Sequence, residues 1–295
     1  MRQLKAWSLF LVVGATLFCR TSYADSFTYN GFGSVAGLTF AGNAATTTTS
    51  DGTVLRLTPA QFSQSGATYS TLPFTLGAGD TFSTQFQFRF TNAGGVVGSP
   101  ADGITFVLAA SPTGLGTAGG GMGYQGVPNS VAIEFNTYNN GCFVPACDGN
   151  SSNHVAIDTN GVLTNLALTN VYGIQTCVFA TPNTVNGCMS NGHLWTAYIS
   201  YNGTNLNVSL LDPAEGLAFN AITNYPINVA SFLGTNSAFV GFTGGTGSGF
   251  ENQDIVNWQF SNTATLPTPE PGSLALLGTG LLGLAILTSL RKGLA

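Results

Sequence analysis

Two oxygen-bearing side chains, Glu134 and Asn136, stand two residues apart in the segment 131–140, Val-Ala-Ile-Glu-Phe-Asn-Thr-Tyr-Asn-Asn. On a β-strand, residues two apart project from the same face, so both side chains would point to one place. Carboxylate and amide oxygens suit calcium, and a set that includes an imidazole suits manganese or zinc. Taken alone, the pair also fits the commoner case of polar groups that satisfy each other at a strand end.

Further ligand groups follow where this strand would give way to a loop. The Tyr138 carbonyl and the Asn140 side chain offer oxygens, and Asp148 and His154 come next along the chain. The segment therefore predicts a cation site shared by a strand and the loop after it. The candidate metal ligands are Glu134, Asn136, Tyr138, Asn140, Asp148 and His154.

Strands must position these groups, because alternating apolar residues recur along the chain without a sustained helical period. The segment Phe82–Phe90 alternates phenylalanine with polar residues and is typical of a half-buried strand. The other predicted strands are 54–57, 103–109, 131–135, 154–157, 194–201, 206–211, 238–242 and 255–260. We interpret Thr46–Thr49 as a turn. Many short strands separated by Gly, Asn, Thr and Pro predict an all-β jelly-roll sandwich in a single domain, residues 25–262.

The N-terminal segment 1–24 differs from the middle of the chain. It has a basic start, an apolar run 6–18, and small residues Ser22 and Ala24 before a cleavage point, as a secretory signal peptide does. A membrane anchor is disfavoured because a transmembrane helix needs roughly 20 apolar residues. We expect the protein to be exported.

The C-terminal end carries Pro269, Glu270 and Pro271, then an apolar run 274–290, then Arg291 and Lys292. We divide it into a linker, 263–272, and an apolar segment, 273–295. This order resembles the PEP-CTERM sorting tail of Gram-negative bacteria, which implies recognition by an exosortase-type processing enzyme. An anchor that is never removed is the alternative, so the segment would lie transiently or permanently in the inner membrane.

Charge excludes one class of partner. Between residues 25 and 266 the basic residues are Arg56 and Arg89 alone, against eleven acidic residues, which gives a formal charge of −9. Such a surface cannot neutralise phosphates, so we expect no nucleic-acid partner and no anionic membrane surface.

Four cysteines remain after removal of the signal peptide, and an even number in an exported chain favours disulfides. Local pairs would join Cys142 to Cys147 and Cys177 to Cys188, and each disulfide would cross-link the two ends of one loop. A zinc site built from the four thiolates is the alternative, but no Cys-x-x-Cys motif occurs.

The segment 131–140 and the later run His154–Asp158, His-Val-Ala-Ile-Asp, resemble the legume-type (L-type) lectins, which share the concanavalin-like sandwich. The resemblance implies a transition metal such as Mn²⁺ held by Glu134, Asn136, Asp148 and His154. It implies Ca²⁺ beside it, held by Asn136, the Tyr138 carbonyl, Asn140 and Asp148. Asn140 would then donate to a sugar hydroxyl, and Tyr138 would stack on the sugar ring.

Other family landmarks occur in the expected order. Ala101–Gly103 opens a strand, and the resemblance implies a cis bond before Asp102 and a carboxylate that accepts from two sugar hydroxyls. The loop 119–123 resembles the family's Gly-rich loop, whose backbone amide, from Gly120 or Gly121, reaches the ligand. Ser248 and Gly249 stand where backbone contacts to the sugar are made.

Two departures from the family pattern concern the metals. Asn136 replaces the aspartate that bridges both cations, so a full negative charge is lost and metal affinity should fall. The loop between Asn140 and Asp148 is longer than usual and contains Cys142 and Cys147, whose disulfide would stiffen a loop otherwise ordered by metal.

We therefore predict a non-enzymatic, calcium-dependent lectin at the bacterial surface, in the outer envelope or in the exopolysaccharide matrix. Its glycan affinity per site should be weak, so surface display or a homo-oligomer would supply avidity. A glycan-cleaving enzyme is one alternative, although a retaining hydrolase needs two carboxylates about 5 to 5.5 Å apart and the strand of Glu134 has no second acid. A structural matrix protein that has lost sugar binding is the other.

Overall fold

The computed structural model describes residues 26–95, 99–143, 146–147, 149–177 and 185–266, with backbone alone for 142–143 and 146–147. The predicted signal peptide, the predicted apolar C-terminal segment and Asp148 lie outside the described residues. Among the residues it does describe, no helix is long and apolar enough to cross a membrane.

In chain order the described residues form β1 (Ser26–Tyr29), β2 (Leu38–Gly42), β3 (Ala45–Thr49), β4 (Gly52–Thr58), β5 (Ser65–Ser70), β6 (Phe74–Thr75), β7 (Phe82–Gly95), β8 (Gly103–Ala109), β9 (Ser130–Asn136), β10 (Cys142–Phe143), β11 (Ala146–Cys147), β12 (His154–Thr159), β13 (Val162–Asn170), β14 (Trp195–Tyr201), β15 (Asn205–Asp212), β16 (Leu217–Pro226), α1 (Val229–Leu233), β17 (Ser237–Gly245) and β18 (Gly249–Ser261). Short 3₁₀ turns occupy Gly119–Gly121 and Val171–Gly173.

The strands form two antiparallel sheets that pack face to face. The front sheet has the order β13-β12-β9-β8-β17-β5-β2, with β6 on β17, and the back sheet has the order β16-β15-β14-β7-β18-β4-β3, with β1 on β18. This arrangement confirms the predicted all-β jelly-roll sandwich, and all nine predicted strands are present. The turn predicted at Thr46–Thr49 is wrong, because these β-branched residues form the edge strand β3 and pair with β4.

Phenylalanine side chains fill the space between the sheets. Phe86 and Phe88 of the back sheet meet the front sheet, with ring centroids 4.8 Å from Phe242 and 5.6 Å from Phe135. The polar residues between them, such as Gln85 and Gln87, lie on the outer face of the back sheet, as the alternation predicts.

Strands β8 and β9 are buried on both faces, so a second apolar cluster covers the outer face of the front sheet. Val107 and Ala132 project from the sheet into this cluster, and Met122, Tyr124 and Val127 pack on them from the loop between β8 and β9. The Tyr124 hydroxyl bonds to Ser130 Oγ at 2.9 Å. This cluster fixes the Gly-rich loop over one end of the sheet.

Strand register brings the ends of four strands to the same edge. Gly103 of β8 lies opposite Asn136 of β9 on one side and Gly245 of β17 on the other. Asn136 in turn lies opposite His154, the first residue of β12. Residues far apart in the sequence therefore meet at this edge of the front sheet.

Glu251 of β18 lies beneath this edge and is completely buried. Its Oε1 accepts a hydrogen bond from Thr137 Oγ1 at 2.6 Å, whereas its buried Oε2 has no hydrogen-bond partner. Burial raises the pKa of Glu251 well above its usual range, and the nearby Asp102 charge raises it further. Glu251 therefore keeps its proton to a higher pH in the folded protein than an exposed glutamate does.

We predict that Glu251→Gln removes a pH dependence of stability. Since the pKa of Glu251 is raised by folding, wild-type stability is full below the unfolded pKa of about 4.3 and falls as pH rises toward the folded value, by up to about 1.4 kcal/mol per pH unit. The neutral glutamine has no such slope. Urea unfolding at several pH values between 5 and 8 should show the variant gaining on the wild type as pH rises.

Glu251→Ala provides the comparison for this test, because it leaves a cavity and an unpaired Thr137 hydroxyl and should lower stability throughout this pH range. Parallel curves for the wild type and Glu251→Gln would contradict a buried neutral Glu251.

Candidate functional site

Asp102 is held by its backbone between two neighbouring strands. The Ala101–Asp102 peptide bond is cis. The Asp102 amide donates to the Gly245 carbonyl of β17 at 2.9 Å, and the Asp102 carbonyl accepts from the Thr137 amide at 3.0 Å, directly after β9. The position of the Asp102 side chain is therefore fixed by the register of the front sheet.

The Asp102 carboxyl presents one satisfied and one unsatisfied oxygen. Oδ1 accepts a hydrogen bond from Asn140 Nδ2 at 3.1 Å, while the buried Oδ2 has no hydrogen-bond partner. Burial raises the pKa of Asp102 to about 6, and the hydrogen bond from Asn140 and the nearby Gly247 backbone, whose N–H donates to the Gly249 carbonyl, oppose this rise. A nearly buried acceptor without a donor is what a ligand hydroxyl group would satisfy.

The Gly-rich loop brings its backbone against Asn140. A Cβ at Gly120 would lie 2.6 to 2.8 Å from the Asn140 amide group, so only glycine permits this approach. The Gly121 amide donates to the Ala118 carbonyl instead, and a Cβ at Gly121 would collide with Thr117. Of the two predicted ligand contacts, Gly120 is thus the one that faces Asn140.

The loop between β17 and β18 closes the other side of Asp102. Gly249 packs on Ala101, where an added Cβ would lie 2.9 Å from the Ala101 Cβ, and Ser248 is exposed at the rim. Gly247, which is not among the predicted site residues, also lies beside the acceptor oxygen, since a Cβ there would lie 3.3 Å from Asp102 Oδ2. Its position in a Gly-rich loop was the available signal.

Glu134 and His154 meet in the interior beside this pocket. Their Oε1 and Nε2 atoms are 3.1 Å apart, and both side chains are completely buried. His154 Nδ1 lies 3.2 Å from the Ser151 carbonyl, which orients the ring so that Nε2 faces Glu134. These two residues are arranged as two ligands of one transition metal would be.

Asn136 does not complete that set. The Tyr138 backbone N–H can only donate, and it donates to Asn136 Oδ1 at 2.8 Å, so the oxygen of this amide is identified by its partner. Asn136 Nδ2 consequently faces Glu134 Oε1 and donates to it at 2.8 Å. An amide N–H group stands where a carboxylate ligand is required, so the described residues do not fit the four-ligand transition-metal site.

Asp158 lies beside Glu134 from the neighbouring strand, and the sequence analysis missed this pair. Burial would raise the pKa of Glu134, but the hydrogen bond and charge of His154 outweigh it and lower the pKa to about 2. Burial and the Glu134 charge raise the pKa of Asp158 well above its usual range. Glu134 is thus the more acidic of the two carboxyl groups, and Asp158 holds its proton more tightly.

Two neighbouring carboxyl groups whose pKa values are shifted in opposite directions can serve as the acid and the base in glycan cleavage. Glu134 and Asp158 are both fully buried beneath the site, however, and a glycan at the surface does not reach them. The pair therefore gives no support to the glycan-cleaving alternative.

Tyr138 and Asn140 follow β9 directly and lie at the rim of the pocket, where both are half-buried. Asn139 between them is exposed, and its Nδ2 donates to Asn150 Oδ1 at 3.1 Å across the loop. Asn140 Nδ2 donates to Asp102 Oδ1, so the Asn140 side chain is directed at the Asp102 carboxyl.

A disulfide supports the turn before His154. Cys177 is bonded to Cys188, as predicted, and the Cys177 amide donates to Ser152 Oγ at 3.0 Å. Asn153 Oδ1 accepts from the Met189 amide, also at 3.0 Å. Strands β10 and β11 pair with Cys142 opposite Cys147, but the side chains of this second predicted disulfide lie outside the described residues.

Sequence comparison finds lectin domains. A putative L-type lectin-domain containing receptor kinase of Arabidopsis thaliana is 30% identical over 276 residues, which cover 88% of this chain and 38% of the kinase. Agglutinin-2 of Cladrastis kentukea is 28% identical over 194 residues, 62% of this chain and 58% of the agglutinin. The chain spans less than two fifths of the length of the receptor kinase, so the similarity to that protein concerns its lectin part.

Solved structures show the same sandwich. Basic winged bean lectin, crystallised with Tn-antigen, is 25% identical with a TM-score of 0.63, covering 83% of this chain and 100% of that lectin. The metal-free form of lectin I-B4 from Griffonia simplicifolia is 24% identical with a TM-score of 0.64, covering 80% of this chain and 98% of that one.

Family models match nearly the whole chain. The legume lectin domain matches residues 24–274, and the PEP-CTERM protein-sorting motif matches residues 267–292. The chain therefore belongs to the legume lectin domain family and carries a PEP-CTERM sorting motif at its C-terminal end.

Proposed function

We propose that this protein is a calcium-dependent, non-enzymatic lectin that binds a glycan at the edge of its front sheet. The observation that carries the proposal is Asp102 Oδ2, a buried acceptor without a hydrogen-bond partner, beside the Asn140 amide and the Gly120 backbone. Carboxylates and amides placed together recognise adjacent sugar hydroxyls, because each hydroxyl both donates and accepts.

Each residue of the pocket has a separate role in binding the sugar. Asp102 accepts hydrogen bonds from two sugar hydroxyls, the Asn140 side chain and the Gly120 amide donate hydrogen bonds, and Tyr138 stacks on the ring. Ser248 and Gly249 border the sugar from the loop after β17. The bound ligands named for similar lectins, Tn-antigen and N-acetylgalactosamine, support a sugar as ligand and leave its identity open.

The Tyr138 carbonyl, Asn140 Oδ1 and Asp148 would hold calcium, which supplies a positive charge that orders the loop after β9. Asn136 Oδ1 was predicted to join them, but it accepts from the Tyr138 amide. The loop orients Asn140 toward Asp102. We assign no transition metal a role, since the Asn136 amide group opposes that site.

We further propose that the protein acts on the outside of a Gram-negative bacterium, at its surface or in its matrix, after an exosortase-type enzyme has processed the tail. The PEP-CTERM motif supports export and processing. A single site with few hydrogen bonds to the sugar would bind weakly, so display of many copies or a homo-oligomer would supply avidity.

The first prediction concerns Asp102. Asp102→Asn replaces a charged acceptor of two hydrogen bonds with a neutral amide of the same shape, and glycan affinity should fall about 100-fold or more, or roughly 3 kcal/mol. A glycan array with calcium or EDTA, followed by titration calorimetry on the best ligand, measures the effect. Asp80→Asn, in the connection between β6 and β7, serves as the matched control and should bind as the wild type does.

Each competing function gives a different result in this experiment. A folded wild type that binds no glycan with calcium present would support the structural matrix protein. Release of reducing ends from the arrayed polysaccharides would support the glycan-cleaving enzyme. Equal binding by the wild type and Asp102→Asn would place the glycan elsewhere on the protein.

The second prediction concerns Asn136. Asn136→Asp replaces the N–H donor at Glu134 with a carboxylate, and the two charges repel each other unless a cation lies between them. The variant should lose thermal stability in EDTA, regain it with Mn²⁺, and bind Mn²⁺ at least about tenfold more tightly, or roughly 1.4 kcal/mol. Calorimetry and thermal unfolding with each metal measure this.

Asn139→Asp is the matched control, because Asn139 lies in the same loop but is exposed and bonded to Asn150. It should change neither quantity appreciably. Equal Mn²⁺ affinity of the wild type and Asn136→Asp would show that the amide does not limit the transition-metal site.

A further inference from the structure

Phe62 is an exposed aromatic side chain on the turn between β4 and β5. It is 52% exposed, and the other large apolar side chains with comparable exposure in the described residues are leucines. Its ring meets Phe250 edge to face, with centroids 5.0 Å apart. Phe62 contributes little to the core, so its exposed face is available to a ligand.

The turn that carries Phe62 is fixed to the loop between β17 and β18. The Gln64 amide donates to Thr246 Oγ1 at 2.9 Å, and the Thr246 amide donates to the Gln64 carbonyl at 2.9 Å. Thr246 Oγ1 also donates to the Gln61 carbonyl at 2.6 Å. A fourth hydrogen bond joins the Ser63 amide to the Gly247 carbonyl. These four bonds hold the turn against the loop, so the position of Phe62 is fixed before any ligand binds.

Gly247 connects the Phe62 turn with the Asp102 pocket. Its carbonyl accepts from the Ser63 amide at 3.0 Å, and on its other side a Cβ would lie 3.3 Å from Asp102 Oδ2. Ser63 adopts the left-handed conformation, φ 54°, which reverses the chain directly after Phe62. Phe62 is therefore one residue away from the backbone that borders the candidate sugar pocket.

We infer that Phe62, supported by Phe250, forms a second subsite that stacks on the C–H face of a sugar residue linked to the residue held by Asp102. This inference rests on the proposed function. A phenylalanine ring offers no hydrogen bond, so the subsite selects a neutral residue that presents an apolar face rather than a particular pattern of hydroxyls. A second copy of this chain is the competing occupant.

The test compares single sugars with disaccharides. Glucose, mannose, galactose and N-acetylgalactosamine are first titrated into the wild type by calorimetry. Disaccharides that carry the most tightly bound of these sugars at one end or the other are then titrated in the same way. The wild type should bind the best disaccharide about three- to tenfold more tightly than the monosaccharide. Phe62→Ala should lose this gain and keep the monosaccharide affinity, whereas Phe62→Trp should retain both.

Leu72→Ala is the matched control, because Leu72 is 74% exposed on the connection after β5 and should change neither affinity. A disaccharide gain that survives in Phe62→Ala, while Asp102→Asn abolishes binding, overturns the subsite and leaves the proposed function standing. Equal loss of both affinities in Phe62→Ala also overturns it, since Phe62 would then shape the first pocket.

Two further outcomes decide against the subsite. Sedimentation in which Phe62→Ala dissociates a wild-type dimer, without changing the disaccharide gain, assigns the ring to contact between copies of the chain. Absence of any glycan binding by the wild type overturns the proposed function and the subsite together.

Discussion

The backbone of Asp102 is bonded to β17 on one side and to the end of β9 on the other, and the whole site depends on this pair of bonds. The first bond fixes the acceptor oxygens against the Gly245–Gly249 loop, and the second fixes them against Tyr138 and Asn140. Both follow from one register, in which Gly103 lies between Gly245 and Asn136. A slip by one residue would turn every side chain to the other face and separate the carboxylate from its neighbours.

The buried charge of Glu134 is offset by neighbouring side chains. Asn136 donates to Glu134, His154 lies against the same carboxylate, and burial beside Glu134 raises the pKa of Asp158. Each of these features reduces the cost of one buried negative charge. The Asn136 amide group makes these described residues a poor fit to a transition-metal site. Under the proposed function, calcium would be held in the loop that carries Asn140.

Much of this fold could be predicted from local pattern, because alternation alone identifies strands that are buried on one face, such as Phe82–Phe90, which the structure extends to Gly95. Strand β3 was misread, since four consecutive threonines show no alternation of apolar and polar residues. Strands β13 and β16 were not predicted because most of their residues are partly or fully exposed. The ligand candidates were found by resemblance to a family, whereas their pairing across strands was not. Asp158 beside Glu134 and Glu251 beneath Thr137 depend on register, and single-sequence patterns do not contain register.

Electrostatics restricts the glycans that such a pocket accepts. Arg56 and Arg89, the basic residues of the lectin domain, are both engaged on the back sheet, where they form paired hydrogen bonds to Asp254 and Asp51. The site itself contains the Asp102 carboxylate, and the surrounding residues, Gly120, Tyr138, Asn140, Gly247 and Ser248, carry no charge. An acidic sugar would bring its charge next to Asp102 with no arginine or lysine to offset it. Under the proposed function, the ligand is therefore a neutral glycan, and discrimination among neutral sugars depends on hydroxyl geometry at Asp102 and Asn140.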